Sequence, residues 1–143
     1  MLKTMYDETN IFAKILRGEM PSEVIYEDDA TLCFMDIMPR VKGHALVIPK
    51  AQSVNLLDIE LSDLQTLIGV VQKIAQASMS AFNADGVTIQ QFNNSAGGQM
   101  VFHTHFHILP RIDGVALRPH SGNMEDGDII KANAEKYRAV LNC

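Results

Sequence analysis

Residues 103–110 read His-Thr-His-Phe-His-Ile-Leu-Pro, and they place three of the chain's five histidines at alternate positions. Alternation with a period of two is strand geometry, so we expect a strand over residues 100–109, ended by Pro110, with all three imidazoles on one face of a sheet. Imidazole is the side chain that titrates near neutral pH. The chemistry of this protein is therefore expected in this segment.

Short apolar runs before the histidines predict the rest of the sheet. The runs bounded by turn residues lie at 23–27, 31–36, 44–49 and 87–92. The run at 44–49 is apolar on both faces and is therefore expected in the centre of the sheet.

Helical spacing of apolar residues predicts one long helix and one or two shorter ones. Asn10 is expected to cap a short helix, and Ser62 with Gln65 forms a capping box at the start of the long one. A last helix is expected over residues 128–141. Because the strands follow one another locally around the long helix, the sequence predicts an α+β domain with an antiparallel sheet.

Composition restricts the class of protein. The chain has 143 residues, which suits one domain, and 47% of them are hydrophobic, enough for a core. The net charge of -5 leaves no basic patch for nucleic acid, and no apolar run approaches the length of a membrane span. Two cysteines, Cys33 and Cys143, and the lack of a secretory signal lead us to expect a cytoplasmic protein.

A metal is one use for the three histidines. Imidazole is a common zinc ligand, but on a flat strand neighbouring members of the trio stand about 7 Å apart and the outer two about 14 Å. Three ligands on one ion would strain such a strand. A pair completed by His44 or His120 remains open at this point.

Nucleophilic catalysis is the other use. A neutral imidazole attacks phosphorus or an acyl carbon when its second nitrogen is held, and flanking histidines can then move protons. The preceding loop, Ser95 to Gln99, offers small residues and free backbone N–H groups that suit an anion, although its glycines alone also suit a plain turn. A phosphate beside a row of histidines is consistent with both features.

Other candidates are weaker when taken one at a time. Asp36 ends a predicted strand, where a carboxylate could accept hydrogen bonds from a ribose diol or could simply cap a turn. His44 joins the cluster only if its strand lies beside residues 103–107. The apolar side chains of the first helix could clamp a base or pack in the core.

Several blocks of the sequence together resemble the histidine triad superfamily. Residues 98–109 look like its signature, His-x-His-x-His followed by two apolar residues. Residues 11–21, 34–39 and 43–50 resemble, in order, the opening helix and the two following strands of the nucleotide-binding branch. The likeness covers most of the chain, and it treats residues 1–143 as one domain with a core of about 10–111 and a C-terminal tail at 112–143.

The resemblance implies a fold, an assembly and a reaction. The antiparallel sheet would join that of a second copy in a homodimer. His105 would attack the α-phosphorus of a nucleotide, oriented by the backbone carbonyl of His103, while His107 and His44 would lie near the phosphate and leaving group. No metal or cofactor is required in this scheme.

The same resemblance implies the binding residues for a purine nucleotide such as an AMP or GMP derivative. Asp36 would hold the ribose hydroxyls. The residues near the phosphate would be Asn93, Gly98 and Gln99, and those lining the base pocket would be Ile11, Phe12, Ile15, Phe34 and Ile37.

Departures from the family pattern indicate the branch. The transferase branch has Gln where this chain has His107, so hydrolysis fits better than transfer. Residues 10–13 lack the Cys-x-x-Cys that holds zinc in some bacterial relatives, and Met100 replaces a serine found in well-known members. The presence of Asp36 indicates the branch of the family that hydrolyses nucleoside phosphoramidates. A dinucleoside polyphosphate hydrolase and a nucleotide-binding interaction protein with incidental hydrolysis are the alternatives.

Overall fold

Five strands and three α-helices form the part of the chain that our computed structural model describes, residues 5–119 and 122–141. The strands make one antiparallel sheet in the order β1-β2-β3-β5-β4, which confirms the α+β class and puts β3 in the centre. In chain order the elements are α1 (Ile11–Leu16), β1 (Val24–Glu27), β2 (Thr31–Met35), β3 (Ala45–Pro49), α2 (Leu61–Ala81), β4 (Gly86–Gln90), β5 (Phe106–Arg111) and α3 (Gly127–Leu141).

The two predicted helix caps have different outcomes. Oδ1 of Asn10 accepts a hydrogen bond from the backbone N–H of Ala13 at 2.9 Å, so the cap of α1 is confirmed. The predicted capping box of Ser62 and Gln65 is wrong, because α2 begins at Leu61, and its N-cap, Glu60, makes no side-chain hydrogen bond to the helix. Ser62 therefore already lies inside the helix. The 21 residues of α2 are held by the face that it buries rather than by its cap.

The predicted histidine strand has the wrong bounds. β5 begins only at Phe106, so His103 and His105 precede it in an irregular segment, and the three imidazoles do not share one strand face. At its other end β5 continues through Pro110, which pairs with Val87 of β4. This proline is tolerated because it lies beyond the pairing of β5 with β3.

The two faces of the sheet are covered unequally. α2 and α3 pack over one face and close the larger hydrophobic core. Ile130, Ala134 and Tyr137 of α3 belong to that core, so residues 127–141 are part of the domain body rather than a tail. The opposite face carries a smaller cluster consisting of Phe12, Leu32, Phe34, Leu46 and Ile48. No helix in the described ranges is long and apolar enough to cross a bilayer.

Candidate active site

The ring of His105 is held in one tautomer. Its Nδ1 lies 2.7 Å from the backbone carbonyl oxygen of His103, so Nδ1 donates the proton and Nε2 carries a lone pair. Burial lowers the pKa of His105, and the ring is therefore neutral near pH 7. Only 6% of the residue is exposed, and the edge of the Phe12 ring packs against it at 5.0 Å between centroids.

His103 is fixed on both of its ring nitrogens. Nε2 lies 2.7 Å from the carbonyl oxygen of Pro49, to which it donates, and Nδ1 accepts from the hydroxyl of Tyr6 at 2.5 Å. Burial lowers the pKa of His103 to about 4. The ring of His103 thus serves to anchor the backbone whose carbonyl orients His105.

Tyr6 is a site residue that sequence reasoning missed. Its ring meets that of His103 edge to face at 5.6 Å, and its hydroxyl completes the hydrogen bonding of that imidazole. The residue lies in a polar N-terminal segment with no periodic pattern, so no sequence signal connects it to a histidine 97 positions later.

His44 and His107 hold each other. Nε2 of His44 is 2.9 Å from Nδ1 of His107, and Nδ1 of His44 accepts the backbone N–H of Arg40 at 3.0 Å. With that acceptor occupied, neutral His44 carries its proton on Nε2 and donates it to His107. Neutral His107 then carries its own proton on Nε2. The expectation that His44 joins the cluster is met, because β3 lies beside β5.

Asp36 directly follows β2 and joins the same group. One carboxylate oxygen lies 3.5 Å from Nε2 of His44, and the other accepts the backbone N–H of Met38 at 2.8 Å. Burial raises the pKa of Asp36 to about 6, against the smaller lowering by the Met38 hydrogen bond. A carboxylate at the end of β2 thus lies next to His44, which directly precedes β3, and near His107 of β5.

Asp36, His44 and His107 also form a group whose ligand atoms lie within 4.8 Å of one another in the described ranges. Their hydrogen bonds do not suit a metal ion. The backbone N–H of Arg40 occupies Nδ1 of His44, which keeps a proton on Nε2, and Nδ1 of His107 accepts that proton. A metal needs those lone pairs free. His120, the other possible partner named from the sequence, lies outside the described residues.

The side chain of Gln99 points inward and uses all of its hydrogen-bonding groups. Nε2 donates to the carbonyls of Val54 and Val101, while Oε1 accepts from Asn55 Nδ2 and the N–H of Asn94. Gln99 is 4% exposed. Both donors of this amide are bonded to backbone carbonyls in this structure, and the location of Gln99 near a bound phosphate stays a prediction. Through these bonds Gln99 shapes the loop.

Asn93 and Gly98 lie at the two ends of that loop. Asn93 Oδ1 accepts the N–H of Leu56 at 3.0 Å, and its amide also exchanges hydrogen bonds with Gln91. Gly98 has a φ of 100°, and a Cβ there would lie 3.3 Å from the ring of Phe92. The glycine is thus required by the turn itself.

The segment 53–58 supports the site from behind and was not predicted to do so. Ser53 Oγ lies 2.6 Å from Oγ1 of Thr104, between the first two histidines of the trio, and both side chains are buried. Asn55 bridges to the loop of Gln99, while Asp58 accepts the N–H groups of Val54 and Asn55. Short polar residues before a helix were the available signal.

The predicted base pocket is brought together only in part. Phe12 and Phe34 meet edge to face at 5.4 Å, and Ile15 packs against the same cluster. Ile11 and Ile37 lie at the surface, 38% and 43% exposed. The aromatic pair beside His105 is therefore the apolar platform that this structure offers.

The HIT domain family matches residues 17–114 of the chain. This protein belongs to the histidine triad (HIT) family. A crystal structure of a Hit-like protein from Bartonella henselae, described as involved in cell-cycle regulation and holding an unknown ligand, is 50% identical with a TM-score of 0.90, and the match covers 96% of this chain and all of that one.

Two further HIT relatives have names that mention a ligand or an activity. A hypothetical histidine triad nucleotide-binding protein from Sulfolobus tokodaii is 26% identical over 92% of this chain and 91% of that one, with a TM-score of 0.84. The adenylylsulfatase HINT3 of Arabidopsis thaliana is 40% identical, and the match covers 78% of this chain and 59% of the plant protein. The family thus includes nucleotide-binding proteins and hydrolases.

Proposed function

We propose that this HIT protein hydrolyses purine nucleoside 5′-phosphoramidates, of the AMP-amine type, through a nucleotidyl intermediate on His105. The observation that carries the proposal is the hydrogen bond from Nδ1 of His105 to the carbonyl of His103. Because the proton is held on Nδ1, the neutral ring has an unprotonated Nε2 whose lone pair points away from the backbone, as a nucleophilic imidazole requires. The cytoplasmic location expected from the sequence stays a prediction.

The reaction takes place in two displacements. Nε2 of His105 forms a bond to the α-phosphorus, the phosphorus–nitrogen bond breaks, and its electron pair goes to the leaving nitrogen, which receives the Nε2 proton of His107. Water then attacks the phosphorus and gives one proton to His107. The bond between the phosphorus and Nε2 of His105 breaks, and its electron pair returns to Nε2. The products are a nucleoside monophosphate and a free amine, and neither step needs a metal or cofactor.

The nucleotide is held by residues on the β2 side of the site. Asp36 accepts hydrogen bonds from the ribose hydroxyls when it is ionised, which its pKa of about 6 allows at neutral pH. Phe12 and Phe34 provide the apolar surface for the base. Only 6% of His105 is exposed, so a bound phosphate meets Nε2 in a largely desolvated site.

A homodimer is part of the proposal. β4 is an edge strand that pairs only with β5 among the described residues, and Ile89, its fourth residue, is 41% exposed. An unpaired edge with an exposed apolar side chain favours pairing with the same strand of a second copy.

Hydrolysis of a nucleotide with an acidic leaving group is the second candidate. The plant relative named adenylylsulfatase supports it. In that case, and for dinucleoside polyphosphates, the same attack by His105 would release a weaker base. Comparing turnover of an adenosine phosphoramidate, adenylyl sulfate and a diadenosine polyphosphate decides between these substrates.

Replacing His105 with Ala tests the reaction itself. Without the nucleophile, turnover is expected to fall by about a thousandfold or more while AMP binding persists. Mass spectrometry of wild-type protein quenched during turnover is expected to find a nucleotide on the peptide holding residues 101–111, and none in the variant. Unchanged turnover in His105→Ala rejects the mechanism. Slow turnover of every substrate beside a firm protein complex supports the interaction-protein alternative.

A further inference from the structure

Four residues form one row across the sheet on the side of the histidines. The registers pair Phe34 of β2 with Leu46 of β3, Leu46 with His107 of β5, and His107 with Gln90 of β4. Directly opposed residues of neighbouring strands have their side chains on the same face. The row therefore leads from the apolar platform, past the phosphate-facing histidine, to the amide of Gln90.

Arg40 closes the β4 end of this row. Its Nη1 donates to Oε1 of Gln90 at 3.4 Å, and its Nε donates to the backbone carbonyl of Arg118 at 2.9 Å. Its own backbone N–H holds His44, as described above. The guanidinium thus lies on the far side of His107 from Phe34.

No ion pair to the guanidinium of Arg40 is found among the described residues. Its side-chain hydrogen bonds are with an amide and a carbonyl, and no carboxylate within residues 5–119 and 122–141 lies at ion-pair distance from it. By contrast, Arg17, Arg118 and Arg138 each pair with a glutamate. A half-buried guanidinium with unsatisfied donors next to a reaction centre is a site for an anion.

The direction of the row indicates which part of the substrate meets Arg40. In the proposed function the nucleoside lies on the β2 side, with Asp36 and Phe34, and the α-phosphorus lies at His105 and His107. The β4 side then remains for the group that departs from phosphorus. We propose that Arg40, steadied by Gln90, forms a subsite for a leaving group that bears an anion, such as an amine that carries a carboxylate.

This inference rests on the proposed function and is tested with two matched substrates. One is the adenosine 5′-phosphoramidate of an amino acid, and the other is that of the corresponding amino-acid amide, which differs by one charge. We expect wild-type kcat/KM to favour the acid by about threefold to tenfold, as a single partly exposed charge pair allows. Arg40→Gln is expected to remove that preference, so that the ratio of kcat/KM for the acid to kcat/KM for the amide falls to about one.

Two further variants make the result specific. Arg17→Gln removes the same charge from the surface end of α1 and is expected to keep the preference for the acid. Gln90→Glu places a carboxylate beside Arg40 and is expected to lower turnover of the acid alone. Because the interaction is electrostatic, the preference should also decline as salt is raised from 0.05 to about 0.5 M.

The outcomes separate the subsite from the reaction. Equal turnover of acid and amide by the wild type, or an equal loss of both in Arg40→Gln, overturns the subsite while the proposed hydrolysis stands. Adenylyl sulfate provides a second anion, and a loss confined to one anionic substrate identifies the anion that Arg40 takes. If the wild type hydrolyses none of these compounds, both the proposed function and the subsite are rejected.

Discussion

The four histidines of the site form two pairs that are held in different ways. In the first pair, His103 and His105 each donate a hydrogen bond from a ring N–H to a backbone carbonyl, with 2.7 Å between nitrogen and oxygen in each case. In the second pair, His44 and His107 are joined side chain to side chain at 2.9 Å. A carbonyl cannot accept or release a proton near neutral pH, whereas a second imidazole can.

The difference assigns different tasks to the two pairs. Carbonyl partners and burial keep His103 and His105 neutral with one tautomer each, which suits a fixed nucleophile and its support. The hydrogen bond between His44 and His107 contains a proton that the two rings can share. A carboxylate oxygen of Asp36 lies 3.5 Å from Nε2 of His44. The second pair therefore suits proton delivery to a leaving group.

Among the tests of this comparison, removing the proton donor is expected to have the largest effect. His107→Ala should lower kcat for an adenosine phosphoramidate by about a hundredfold to ten-thousandfold, because an amine leaves poorly without a proton. The measurement is steady-state turnover at pH 7.

The matched control for this variant is a substrate rather than a second mutant. Adenylyl sulfate releases sulfate, which needs no proton, so first-turnover release of its leaving group should be slowed far less in His107→Ala, whereas the later attack of water loses the same base with both substrates. An equal loss of first-turnover release with both substrates would mean that His107 positions the phosphate instead, and the contrast between the two pairs would not hold.

The pH dependence of stability gives the next effect, because Asp36 and His103 titrate in opposite senses. The folded-state pKa of Asp36 is raised from 3.8 to about 6, so the folded protein binds more protons than the unfolded chain in that window and stability falls as pH rises. The pKa of His103 is lowered from 6.5 to about 4, so there the unfolded chain binds more protons and stability rises with pH. Each contribution is about 3 kcal/mol, so they nearly cancel.

Asp36→Asn should expose the histidine contribution. We expect its free energy of unfolding, measured by urea titration, to rise by at least about 3 kcal/mol between pH 4 and 6.5, a steeper slope than in the wild type, because burial also lowers the pKa of His105. Asp29→Asn changes an exposed carboxylate in the turn after β1 and should leave the wild-type slope unaltered. Identical slopes for Asp36→Asn and the wild type would show that this carboxyl is not desolvated.

The smallest expected effect concerns the first pair. Tyr6→Phe removes the hydroxyl that donates to Nδ1 of His103 and should cost about 1 kcal/mol of stability. It should also lower kcat by about twofold to fivefold, because the backbone that orients His105 becomes less rigid. Thermal unfolding and steady-state kinetics measure the two effects.

Tyr26→Phe is the matched control for Tyr6→Phe. It removes a hydroxyl that donates to Asp28 at 2.8 Å, away from the four histidines, and should change stability without changing kcat. If both variants keep the wild-type kcat, the anchoring of His103 does not reach the nucleophile.

Local pattern was enough for most of the fold. Alternating or continuous apolar runs located β1 to β4, and Asn10 marked the start of α1, because strand faces and helix caps depend on neighbours in sequence. The bounds of β5 were missed because the same alternation of histidines can occupy an irregular segment when other partners take its backbone groups. Ser53, whose carbonyl accepts the N–H of Thr104 at 2.9 Å, is such a partner.

The sequence by itself determined the chemistry available, namely three closely spaced imidazoles, a glycine-containing loop and a carboxylate at a strand end. Only the tertiary structure decided which ring nitrogen of His44, His103 and His107 carries the proton. Those protons are set largely by contacts between distant residues, namely Pro49 and Tyr6 with His103 and His44 with His107. Such contacts produce no periodic pattern in the sequence, because a hydrogen bond depends on position in space and not on spacing along the chain.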